Sequence, residues 1–159
     1  MAKVGRASRN ASLMRVETIT GATTDATVAA PSKTLSKVET GEVYFVDIST
    51  HDVVVDLPEP QAGAYFKFVI NAASDGSAKI LGITCHAAAT DMQGVIMVAG
   101  ANFNVTPNTS AITLAGHAGA IQAGDWLEFI SDGTDWYVCG ATQTAGSVVI
   151  NDARVCASA

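Results

Sequence analysis

Residues 124–140, Gly-Asp-Trp-Leu-Glu-Phe-Ile-Ser-Asp-Gly-Thr-Asp-Trp-Tyr-Val-Cys-Gly, constrain the fold more than any other stretch. Two runs of aromatic and β-branched residues flank Ser131-Asp132-Gly133-Thr134-Asp135, where Asp and Gly accept the backbone angles of a chain reversal. The spacing predicts a β-hairpin. Leu127 and Phe129 then share one face against Trp126, Glu128 and Ile130, and after the turn Trp136 and Val138 oppose Tyr137 and Cys139. Both tryptophans of the chain lie here, one per strand, and cross-strand aromatic pairing is expected to fix register.

The rest of the chain follows the same period-two pattern. In 43–48, Tyr44, Val46 and Ile48 point inward; in 53–57, Val53, Val55 and Leu57 do so with Asp56 outward; in 65–70, Phe66, Phe68 and Ile70 share a face against Tyr65, Lys67 and Val69. His51-Asp52 and 71–77 read as turns, and 58–63, with Pro58 and Pro60, as a corner that no central strand can form. Further strands are expected at 79–84, 95–98, 102–106, 111–114 and 147–150, with 86–93 either a loop or weakly helical. About ten short strands at 8–12-residue spacing describe an all-β antiparallel sandwich, jelly-roll-like, or a barrel. Phe66, Phe68, Trp126, Phe129 and Trp136 are the expected core.

Residues 1–40 are small, polar and threonine-rich, and carry no helical apolar stripe. They read as an extended N-terminal arm that orders against a partner, or as a first edge strand followed by a linker; 41–159 form the sandwich or barrel domain. The 159 residues suffice for one core without disulfides. A charged fraction of 15% beside an apolar fraction of 48% leaves a surface that other subunits are expected to cover in part. The net charge of −6 argues against nucleic acid as a partner. It is uneven: residues 1–16 hold Lys3, Arg6, Arg9 and Arg15 without an acid, and the remainder carries five bases against fifteen acids. That division suits docking of the basic segment onto a negative surface, or a solvated tail.

Chemistry-bearing patterns are weak. The loop Gly116-His117-Ala118-Gly119 lacks the Gly-Lys-Ser/Thr ending of a phosphate cradle, and Asp132-Gly133-Thr134-Asp135 lacks the ligand spacing of a calcium loop. His51, His86 and His117 are scattered, and Cys85 and His86, adjacent on a strand, would face opposite ways. No serine sits in a nucleophile elbow. No catalytic, cofactor-binding or metal-binding residue is expected, and the chain reads as no enzyme. Cys85, Cys139 and Cys156 fit free thiols in a reducing cytoplasm; neither a secretory leader nor a membrane span is expected.

Several pieces together carry a resemblance. Thr40-Gly41 before Tyr44, Val55-Asp56-Leu57-Pro58 with Pro60 and Gly63, the strand 65–69, Gly124-Asp125-Trp126, and 131–138 look like a β domain of tailed-phage virion proteins. The domain recurs in capsid decoration (cement) proteins and in fibre-associated modules, and the likeness covers about residues 40–140. The resemblance implies a homotrimeric virion component without catalysis, made in the host cytoplasm and bound to the capsid exterior through the major capsid protein. Lys3, Arg6, Arg9 and Arg15 are then the expected capsid-contact arm. The alternative is a fibre or receptor-binding module with Trp136 and Tyr137 stacking on a host glycan.

Overall fold

The computed structural model describes residues 15–21, 30–73, 79–85, 91–114 and 121–151. They form two sheets. β1 (Arg15–Thr20), β3 (Glu42–Asp47), β5 (Tyr65–Ala72), β7 (Met92–Val98), β8 (Ala101–Thr109), β10 (Trp126–Ser131) and β11 (Trp136–Thr142) make a seven-stranded sheet in the order β1-β3-β5-β10-β11-β7-β8. β2 (Lys33–Thr34), β4 (Val53–Leu57), β6 (Leu81–Cys85), β9 (Ala111–Leu114) and β12 (Val148–Asn151) make a five-stranded sheet in the order β12-β9-β6-β4-β2. Inward residues of both sheets meet in one apolar cluster, so the architecture is an all-β sandwich.

Both sheets are mixed, where alternation alone suggested antiparallel pairing throughout. β1 pairs with β3, β3 with β5, β2 with β4, β4 with β6 and β7 with β11, all in parallel. The reason lies in the connections. From β1 to β6 the chain steps from one sheet to the other at every turn, so alternate strands fall side by side in one layer and run the same way. A turn such as Ser49–Asp52 reverses the chain between layers, and its residue chemistry does not differ from that of a hairpin tip. Antiparallel pairing governs β10 with β11 and β5, β7 with β8, β9 with β6, and β12 with β9.

The central hairpin forms as its composition requires. Ser131 pairs with Trp136, and the tip is held by Asp132, whose Oδ1 accepts the amides of Thr134 (2.8 Å) and Asp135 (2.9 Å). The two tryptophans do not pair. Trp126 stands opposite Ala141 and points away from the core, half-buried, while Trp136 is fully buried. The expectation that Trp126 holds the core is therefore corrected. Residues 126 and 136 are ten apart, but the turn sets an even–odd register that sends their side chains to opposite faces.

Phe66, Phe68 and Phe129 are fully buried, as expected, and ring contacts link them to Tyr44 and Trp136. Pro107 lies inside β8 rather than in a turn; β8 is an edge strand, where a missing amide costs no ladder bond. At the other edge, β1 shows that residues 15–20 are part of this sheet, the first-edge-strand reading of the N-terminal region. β2 carries residues 33–34 into the second sheet.

Gly94 of β7 lies directly against Val138 of β11. Its φ is +152°, and a Cβ there would lie 1.9 Å from the Val138 carbonyl oxygen. Gly94→Ala should accordingly lower the urea midpoint more than any substitution at an exposed β7 position. By the same measurement Trp136→Ala should cost about 3–5 kcal/mol and Trp126→Ala less than about 1 kcal/mol; equal losses would contradict the opposite facing of the two rings.

Candidate interaction surface

Backbone register builds the outer face of the seven-stranded sheet, which is partly open to solvent. Pairing aligns Phe45, Val69, Trp126, Ala141 and Met97 in one row across five strands, bounded by Thr18 and Asn102. The next row runs Val16, Val43, Lys67, Glu128, Cys139, Val95 and Asn104. A shorter third row holds Tyr65, Ile130, Tyr137 and Gln93. Ile130 (52%), Met97 (51%), Val95 (47%) and Tyr137 (40%) are exposed on β10, β7 and β11, and Val16 (57%) is exposed at the β1 edge beyond buried Val43, so one sheet face carries five exposed apolar side chains.

The two rows across the middle contain one cation and one anion, and these neutralise each other. Lys67 Nζ lies 3.4 Å from Glu128 Oε2 and 4.4 Å from the centroid of the Trp126 ring. Glu128 also accepts the Tyr65 hydroxyl; burial, then this bond and the nearby carboxylate charge, push the Tyr65 pKa up to about 12. Cys139 is exposed on the same face, and its thiol pKa is raised first by partial burial and then by Glu128.

A signal for this face stands in the sequence. In β5, β7, β10 and β11 the outward positions include Tyr65 and Val69, Val95 and Met97, Trp126 and Ile130, and Tyr137 beside the polar Lys67, Gln93 and Glu128, where alternation would call for polar residues throughout. Strands apolar on both faces are strands expected to be covered on both. Placing Trp126 in the core conceals that signal.

A second group lies where β1, β2 and β3 meet. Carboxylate oxygens of Glu17, Glu39 and Glu42 lie within 4.8 Å of one another, the kind of set that could hold a cation. The chain supplies its own. Lys33 Nζ reaches Glu17 at 2.6 Å and Glu39 at 3.0 Å, and lies over the Tyr44 ring at 5.2 Å. Glu42, buried, is met by Arg15 Nε at 3.0 Å and accepts the Tyr44 hydroxyl at 2.9 Å. Burial opposes the Lys33 charge, but hydrogen bonds and proximity to Glu17 and Glu39 outweigh it and raise its pKa. For Glu39, burial is likewise outweighed by bonds from Ser36 and Lys33, and its pKa falls below the ordinary glutamate value.

Arg15 is thus a strand residue of the domain with a bonded partner. Lys3, Arg6, Arg9, His86, His117, Cys156 and the loop 116–119 lie outside the described residues. Asp132-Gly133-Thr134-Asp135 closes the hairpin, its first carboxylate committed to backbone amides and to the Tyr137 hydroxyl at 3.1 Å. Trp136, expected beside Tyr137 on a sugar-stacking surface, is in the core. The sequence reading did not find the Lys33 cluster: pairing of β1 with β3 sets Glu17 beside this junction, and Lys33 reaches Glu17 from β2, a strand of the other sheet.

The cluster tethers β1, which otherwise buries only Ile19. Lys33→Met should cost about 2 kcal/mol by leaving carboxylates together without a counter-charge. The pH dependence follows from the signs. Glu39, with its lowered pKa, contributes in full above the ordinary glutamate range and loses that contribution as pH falls through the lowered value. Lys33, with its raised pKa, contributes in full below the ordinary lysine value and loses it as pH rises through the raised one. The melting-temperature gap between wild type and Lys33→Met should be widest near neutrality and narrow towards both extremes; a gap flat across pH would contradict the tether. Compared with known proteins, the chain matches no protein-family model and no curated protein.

Proposed function

We propose that this chain is a structural virion protein that binds the outside of a viral capsid at capsomer junctions and stabilises it, acting as a homotrimeric decoration or cement protein. The observation that carries the reading is the outer face of the seven-stranded sheet, broad, apolar and neutralised within itself by Lys67 and Glu128. A surface of that kind serves contact over area rather than transformation of a small molecule. The one carboxylate cluster among the described residues is closed by Lys33, a side chain of the same molecule, which fits a structural use. The resemblance of residues 40–140 to phage virion domains supplies the partner. Charge supplies a means of docking: Lys3, Arg6 and Arg9 precede a body rich in acids, and would meet negative patches of the major capsid protein. Repeated by symmetry over a shell, contacts of ordinary size hold strongly, because separating two capsomers breaks many of them together.

The glycan-binding alternative has less support. It called on Trp136 and Tyr137 as a stacking pair, and with Trp136 buried only Tyr137 remains accessible.

The test is co-sedimentation with purified heads together with copy number in the intact particle. A cement protein should bind heads and be present in numbers that match the capsid lattice, and replacement of Lys3, Arg6 and Arg9 by Glu should weaken head binding without changing the melting temperature. A few copies per particle, or no binding to heads, would count for the fibre reading. Binding untouched by the three substitutions would remove the basic segment from the contact.

A further inference from the structure

We propose that the outer face of the seven-stranded sheet packs against the same face of a second copy of this chain, about a twofold axis running along the strands between β5 and β10. The inference goes beyond the capsid reading and concerns the free protein: the face offered there to the shell is covered here by a second copy, which the shell must displace on assembly.

Charge selects the occupant. The whole chain carries −6, so two copies repel through most of their surface. The exception is the middle of this face, where Lys67 and Glu128 are neighbours on β5 and β10. An axis between those two strands sets Lys67 of one copy opposite Glu128 of the other, and the reverse, giving four alternating charges with no like pair in contact. A patch with a net charge of either sign could not meet itself in this way.

Apolar positions match under the same operation. Trp126 comes opposite Val69 of the second copy, and Ile130 opposite Tyr65, each pair adjacent to the axis. Further out, the flank at Val16 faces the flank at Val95, both exposed in the single chain. Packed sheets lie about 10 Å apart with strands crossing at about 30°, so the match is closest near the axis and looser at the flanks. The axis leaves β8 unmatched, so six strands about 4.8 Å apart and roughly six residues long overlap over roughly 25 by 20 Å, and with the relief of the side chains this approaches the ~600 Å² per partner at the lower end of specific interfaces.

The experiment is the mass of the free, full-length protein by light scattering and sedimentation at micromolar concentration, with no shell present. An even-numbered species is expected: a dimer, or a pair of trimers where threefold association also holds. Val95→Lys and Met97→Glu replace side chains that are half exposed in the single chain, so the fold should survive by circular dichroism while pairing weakens by roughly tenfold or more. Lys67→Glu and Glu128→Lys should each weaken pairing, and the two combined should restore it. A wild type that is a monomer or only a trimer overturns the proposal. So do folded Val95 and Met97 variants that keep the wild-type mass, or a combined charge exchange no better than the single reversals. Head binding is read separately, so loss of one result leaves the other standing.

Discussion

A line of rings between the two sheets organises the molecule. Tyr44 stacks on Phe68 with centroids 5.4 Å apart, Phe68 meets Phe129 edge-on at 5.9 Å, and Phe66 meets Trp136 at 5.8 Å. These residues come from β3, β5, β10 and β11, four adjacent strands of the larger sheet. A shift of one residue in any of them would exchange the ring for an outward neighbour, so the rings pin register across the middle of the sheet. The five-stranded sheet answers with Val53, Val55, Leu57, Ile83 and Ile112, which fill the space above the rings. The pairing of these strands and the position of their outward residues follow from that registration.

Register then determines what the exterior offers. Because Phe66, Phe68, Phe129 and Trp136 are turned inward, Tyr65, Lys67, Val69, Trp126 and Ile130 are turned outward, and strand pairing gathers them into rows. Hydrophobic burial inside and apolar exposure outside are two consequences of one backbone alignment. Lys67 sits within that exterior with its charge answered by Glu128 and its ammonium over the Trp126 ring, and the pair keeps the patch neutral. At the β1 edge the logic is different. Little apolar surface is buried there, and Lys33 with Arg15 draws Glu17, Glu39 and Glu42 into one polar junction that ties β1, β2 and β3 together.

The sequence by itself determined that this is a β protein, where its main hairpin turns, and which residues of 43–57 and 65–70 point inward, because period-two patterning and turn chemistry are local properties. Phe66, Phe68, Phe129 and Trp136 were legible as core for that reason. Local patterns do not say which strands become neighbours. Only the tertiary structure decided that successive strands alternate between layers, which made several pairings parallel, and that Trp126 faces out while Trp136 faces in. The apolar rows share that origin, their members coming together only when strand order is fixed by burial of the opposite face, and the Lys33 cluster needs β2 of one sheet brought against β1 of the other.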